Sequence, residues 1–147
     1  MAHARQQAII EASPAAIWEL LGDPRRHPEW WPHVVEVSGA ELDGELTQGT
    51  RYKQVTSRPV GTITTDFSIE HIEDCHQVEM HCLDTGMYSR WILTEAQGET
   101  FVDAELGMDP IGAANRVIDV LAGKRYFRRW LEESLDALKK AVQQEPQ

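Results

Sequence analysis

The sequence has no apolar run that approaches the roughly 18–20 residues a membrane span requires, which predicts no integral membrane association. Its opening, MAHARQQAII, carries no hydrophobic region of a secretory signal, so a cytoplasmic location is expected. Cysteine is nearly absent. Cys75 and Cys82 are the only two, and in a reducing compartment both are expected to be free thiols. Positive charge is scarce: 14 Lys and Arg stand against 24 Asp and Glu, a formal net charge of −10. That balance favours solubility and opposes nonspecific binding to nucleic acid or an anionic membrane. The one basic cluster, Lys124, Arg125, Arg128 and Arg129, is answered by Glu132 and Glu133 at helical i,i+4 spacing. It reads as a solvated helix face, and no nucleic-acid partner is expected. Gly-rich phosphate loops, nucleophile elbows, internal repeats and low-complexity segments are also missing. What is present is 147 residues, 41% of them hydrophobic, which fits a single domain over 1–147 with one core.

The most organised stretch is the last long one, residues 111–142, which reads as one helix. Asp109 can cap it and Pro110 suits its first position, where a missing N–H costs nothing. Val117, Leu121, Phe127, Leu131, Leu135, Leu138 and Val142 form its apolar stripe. Lys139 and Lys140 lie near its C-terminus, where the helix dipole favours positive charge. At about 1.5 Å per residue the helix spans roughly 45–50 Å, too long and too apolar on one side to stand alone. Gly123 marks a kink or a close approach.

Upstream, residues 3–12 read as a strand. Ser13-Pro14 then caps a short helix carrying Ile17, Leu20 and Leu21, and Gly22 ends it. Pro28 breaks a second helix over 24–31, because the residue before proline avoids the helical region. Trp30 and Trp31 close that helix. Adjacent residues on a regular element face different ways, so one is expected in the core and the other at an edge.

From 33 to 109 the pattern changes to short alternating runs punctuated by glycine, read as strands at 34–41, 49–57, 62–72, 77–84, 87–96 and 99–108. Two-residue turns at Gln97-Gly98, Thr85-Gly86 and Asp74-Cys75 and a four-residue loop at 58–61 set the register. They place Trp91 opposite Ala104, Leu93 opposite Val102, Met80 opposite Trp91, Ile69 opposite Met80 and Tyr52 opposite Phe67. All of these then share the inner face, with His71 among them. The order is strand, two short helices, six antiparallel strands, long helix. A meander this long must curl, and the final helix fills its concave side.

Three segments, IEASPAAIWELLGDPRRHPEWWPHVVEV (10–37), RWILTEAQGETFVDAEL (90–106) and the terminal helix with LEESLDALKKAV, together resemble the START/Bet v 1-like (SRPBCC) superfamily, in particular its bacterial polyketide cyclase/dehydrase-type members. The resemblance implies an α+β helix-grip fold. A curved antiparallel sheet of about seven strands wraps a long C-terminal helix, with a hydrophobic cavity between them. It also implies a hydrophobic small-molecule ligand, such as a lipid, a polyketide or a quinone. It carries no universal catalytic motif.

The expected cavity wall is Tyr52, Phe67, Ile69, Met80, Trp91, Ala104, Leu106, Val117 and Leu121, with Gln54 and His71 as polar orienters. The central strands offer no inward carboxylate, so binding or transport is favoured over general acid–base catalysis. A polyketide cyclase or aromatase remains the alternative, because a cyclase can act largely by folding its substrate. A protein-binding surface built from Trp30, Trp31, Tyr126 and Trp130 is a third possibility. His71, Cys75, His76, His81 and Cys82 cluster in sequence but match no zinc spacing, and no metal or cofactor is expected. The chain is expected to be a monomer or a homodimer.

Overall fold

The alternating run between residues 34 and 108 builds most of one antiparallel sheet, and the first strand joins it at the far edge. The computed structural model describes residues 3–58, 60–108 and 124–144. Strand β1 (His3–Ile10) leads to helix α1 (Pro14–Leu21), a 3-10 turn (Pro24–Arg26) and helix α2 (His27–Trp30). Strands β2 (Val34–Ser38), β3 (Arg51–Ser57), β4 (Thr62–Glu73), β5 (Gln77–Cys82), β6 (Met87–Ala96) and β7 (Glu99–Met108) follow, and helix α3 (Lys124–Gln144) comes last. The seven strands run in the order β1-β7-β6-β5-β4-β3-β2, with every neighbouring pair antiparallel.

Local chemistry explains the short elements. Ser13 Oγ accepts from the Ala16 N–H at 3.2 Å, Pro14 opens α1, and the Gly22 N–H closes it on Trp18 O at 2.8 Å. Asp23 caps the 3-10 turn through the Arg25 N–H. β2 is shorter than its alternation predicts. Gly39, at φ +152°, crosses the backbone of Tyr52, where a Cβ would come within 3.2 Å of the Tyr52 Cα. The following 3-10 turn (Ala40–Asp43) drives Leu42 fully into the core.

The hairpin register holds at three places and slips at two. Trp91 pairs with Ala104 and Leu93 with Val102 across a turn in which Gln97 and Gly98 both have positive φ, the left-handed geometry a two-residue hairpin turn needs. Tyr52 pairs with Phe67, and Ile69 with Met80. Between β5 and β6 the turn is longer than two residues, with the Gly86 N–H on Cys82 O at 3.1 Å. Trp91 therefore faces Val78 instead of Met80, and Met80 faces Ser89. A slip of two leaves both residues on the face expected.

The second slip has a larger consequence. Between Ile69 and His71 the β4–β5 register shifts by one residue. Beyond this bulge Ile72 pairs with the buried Val78, while His71 pairs with Glu79. The extra residue reverses the alternation, so His71 lies on the outer face and not among the inward residues.

The tryptophan pair also departs from expectation. Trp30 and Trp31 are both buried, at 6% and 4% exposure. α2 ends at Trp30, and Trp31 already has extended backbone. The two rings thereby point the same way and stack at 5.4 Å with 7° between planes.

The described part of the terminal helix buries Phe127, Trp130, Leu131, Leu135, Leu138 and Val142, and packs over β1 and β7 and against α1 and α2. Trp130 Nε1 donates to Pro32 O at 2.7 Å, tying α3 to the end of α2. With Trp30, Trp31 and Trp130 buried, only Tyr126 of the expected aromatic surface is exposed. Asp109, Pro110, Val117, Leu121 and Gly123 lie outside the described residues. No helix among the described residues is long and apolar enough to cross a membrane.

Candidate ligand site on the concave face

Alternation on five neighbouring strands brings the candidate wall together. Tyr52 and Gln54 come from β3, Phe67 and Ile69 from β4, Met80 from β5, Trp91 from β6, and Ala104 and Leu106 from β7. All are buried. Thr65, Cys82 and Ser89 join them from the same faces of β4, β5 and β6 and are also buried. His71 is separated from this group by the bulge, and its Nε2 lies 2.9 Å from Glu73 Oε1 on the outside.

The concave face has two chemically distinct ends. At one, Trp91 is fully buried and meets Trp30 and Trp31 edge-on, at ring separations of 5.8 and 5.5 Å. His27, fully buried in α2, lies edge-on to both Trp30 and Trp31. Its Nε2–H donates to Leu21 O at 2.8 Å, which fixes the neutral tautomer. Burial lowers its pKa to about 4, against smaller opposing pulls from the Leu21 bond and Asp23. Reasoning from sequence missed this residue. The signal was present in HPEWW, since Trp30 and Trp31 stand three and four residues after His27, the spacing that shares a helix face.

At the other end, Tyr52 stacks on Phe67 at 5.6 Å with 16° between the rings. Its neighbour on the same face, Gln54, donates through Nε2 to Thr56 Oγ1 at 3.0 Å and pairs with Thr65. Burial pushes the Tyr52 hydroxyl far above its ordinary pKa, with Cys82 adding to the effect, so it remains a neutral donor.

Four buried polar atoms have no hydrogen-bond partner among the described residues: Tyr52 Oη, Trp91 Nε1, Trp31 Nε1 and His27 Nδ1. Each belongs to the concave side or to the helices packed on it. No Asp, Glu, Lys or Arg among the described residues is buried.

The sequence cluster of His and Cys is dispersed by the fold. Cys82 faces inward, His81 Nε2 lies 2.7 Å from Glu79 Oε2 on the outer face, and His76 Nδ1 lies 3.0 Å from Leu93 O. Among the described residues no three His, Cys, Asp or Glu side chains converge as a metal site. The clefts lined wholly by described residues lie on the outer face or along the β1 edge. One of about 70 Å³ is lined by Arg5, Arg90, Ile92, Asp103 and Glu105, one of about 340 Å³ runs along His3–Gln6 and Arg128, and a further one of about 520 Å³ is lined by Arg5, Gln6 and Gln7.

Comparison with solved structures places this architecture among helix-grip proteins. A START superfamily protein from Mycobacterium smegmatis is 16% identical with a TM-score of 0.71, covering 98% of this chain and 99% of that one. Protein NE0264 from Nitrosomonas europaea is 12% identical with a TM-score of 0.76, over 97% and 95% of the two chains. The di-domain ARO/CYC StfQ from the steffimycin biosynthetic pathway is 16% identical with a TM-score of 0.72, over 96% of this chain and 49% of its own. At these identities the likeness is one of fold. No curated protein matches the chain. The profile described as "Polyketide cyclase / dehydrase and lipid transport" matches residues 1–143, and the chain belongs to that family.

Proposed function

We propose that this protein binds or transports a hydrophobic small molecule, lipid-like, aromatic polyketide or quinone, held between the concave sheet face and the C-terminal helix. In this reading residues 1–147 act as one cytoplasmic helix-grip domain, a monomer or homodimer, with no metal, cofactor or nucleic-acid partner. The wall is Tyr52, Gln54, Phe67, Ile69, Met80, Trp91, Ala104 and Leu106, completed by Val117 and Leu121. The observation that carries the reading is Tyr52 Oη, the hydroxyl of a residue 3% exposed, on a mostly apolar wall and without a hydrogen-bond partner among the described residues. Leaving a buried donor unpaired costs about 1–3 kcal/mol, and a guest that bonds it removes that cost.

The sheet contributes no buried carboxylate or histidine to this face among the described residues, which favours binding over general acid–base catalysis. The alternative, a polyketide cyclase or aromatase, draws on the family description and on Tyr52. Folding of a reactive chain needs little more than shape and one group that polarises a carbonyl.

Native mass spectrometry of the purified protein tests the reading. A co-purified small molecule that is lost on denaturation is expected. A protein that retains nothing and binds no apolar probe overturns the proposal.

A further inference from the structure

The chemical character of the unpartnered atoms narrows the guest. Two of the four, Trp91 Nε1 and Trp31 Nε1, are indole N–H groups, which only donate. Tyr52 Oη is a hydroxyl that burial keeps protonated, so it too has a proton to give. The unpartnered acceptor, His27 Nδ1, belongs to the aromatic end, beneath Trp30 and Trp31. Where the sheet carries its hydroxyls and amide, the atom left over is the phenol on β3. A guest amine, protonated at neutral pH, would bring a cation to a face where no carboxylate among the described residues is buried to pair it.

Charge narrows it again. A carboxylate or phosphate in the interior needs a cation beside it, and burying it unpaired is strongly unfavourable. The described residues place no Lys or Arg among the buried groups. The cations nearest in the sheet are turned outward and committed. Lys53 Nζ lies 2.9 Å from Asp66 Oδ1, Arg90 Nε 2.6 Å from Glu79 Oε1, and Arg5 Nε 3.0 Å from Asp103 Oδ1. A ketone or quinone oxygen meets both conditions, since it accepts and carries no charge.

Tyr52 is also held for the task. Its ring is stacked on Phe67, and its backbone lies against Gly39, where an added Cβ would come within 3.2 Å of the Tyr52 Cα. A donor fixed at both ring and backbone loses little freedom when it bonds a guest.

We propose that the guest presents a neutral carbonyl-type oxygen to Tyr52 Oη, and that Tyr52 selects such ligands over carboxylates, phosphates and amines. This rests on the concave-face ligand site proposed above.

A matched set of small bicyclic probes separates the two claims: tetralin, 1-tetralone, tetralin-1-carboxylate and 1-aminotetralin. Their affinities for the wild type and for Tyr52→Phe are measured by calorimetry or ligand-observed NMR, with thermal unfolding confirming that the variant folds. The ratio of tetralone to tetralin affinity is expected to fall about 3- to 10-fold in Tyr52→Phe, with tetralin itself little changed. In the wild type alone, tetralone is expected to bind more tightly than the carboxylate or the amine. An unchanged ratio, or tighter binding of the carboxylate or amine, overturns the assignment while tetralin binding keeps the concave-face site. Failure of tetralin and all three analogues to bind overturns both.

Discussion

The two faces of the sheet handle polarity in opposite ways. On the convex face charged groups bond to one another across strands. Arg5 bridges β1 to Asp103 on β7, Lys53 on β3 meets Asp66 on β4, and Arg90 on β6 reaches both Glu79 and Glu105. Partial burial works against Glu79, yet its bonds from Arg90 and His81 hold the carboxyl below its ordinary range. On the concave face no Asp, Glu, Lys or Arg among the described residues is buried, and the buried polar atoms left without partners there are neutral. One sheet thus saturates the side that water already serves and leaves open bonding capacity on the side that water does not reach. For a fold whose only task was to be stable, the reverse would be expected.

The contrast is broken most directly by removing the residue that anchors the inner face. Trp91 is 0% exposed and lies against two further indoles. Trp91→Ala is expected to cost about 3–5 kcal/mol, read from the midpoint of urea unfolding, because neighbouring rings cannot collapse into the space left. A loss below about 1 kcal/mol would show that the inner face is loosely packed and that burial there carries little stability.

Acid tests the same face by another route. An unfolded imidazole titrates near 6.5 and folded His27 at about 4, so between those values the unfolded chain binds the extra proton. The contribution is complete above about pH 6.5 and is lost as pH falls toward 4. It amounts to about 3 kcal/mol for a gap of that size. His27→Gln is expected to remove this part of the stability–pH profile. If the variant's profile between pH 7 and 4 parallels that of the wild type, His27 is not held neutral by its surroundings.

Much of this arrangement was legible in the sequence because alternation and turn residues agree. Trp91 opposite Ala104 and Tyr52 opposite Phe67 follow from hydrophobic period and loop length alone. The β5–β6 slip was invisible to that logic yet harmless, since two residues restore the face. The bulge before His71 was neither, because a single extra residue within -SIEHIE- leaves no mark on composition and turns the histidine outward. The tryptophan pair failed for a related reason. The rule that neighbours diverge holds on a regular element, and the helix ends between them. Tyr52 was found as a wall residue, but its lack of a partner depends on everything around it and has no local signature.

The smallest expected effect compares the faces with one chemical change. Tyr52 and Tyr88 are both buried, the first facing inward from β3 and the second outward from β6. The Tyr88 hydroxyl donates to Glu105, whereas Tyr52 Oη donates to nothing among the described residues. Tyr88→Phe removes a bond to a carboxylate and leaves that carboxylate short of a donor, so a loss of about 1–2 kcal/mol is expected. Tyr52→Phe removes an atom whose desolvation is uncompensated in the empty protein. It is expected to leave stability unchanged or raise it by about 0.5–1 kcal/mol. Chemical denaturation of the ligand-free pair reads both signs in one experiment. Equal losses would mean that the inner hydroxyl already has a partner, such as a buried water, and that the two faces differ less than their bonding patterns show.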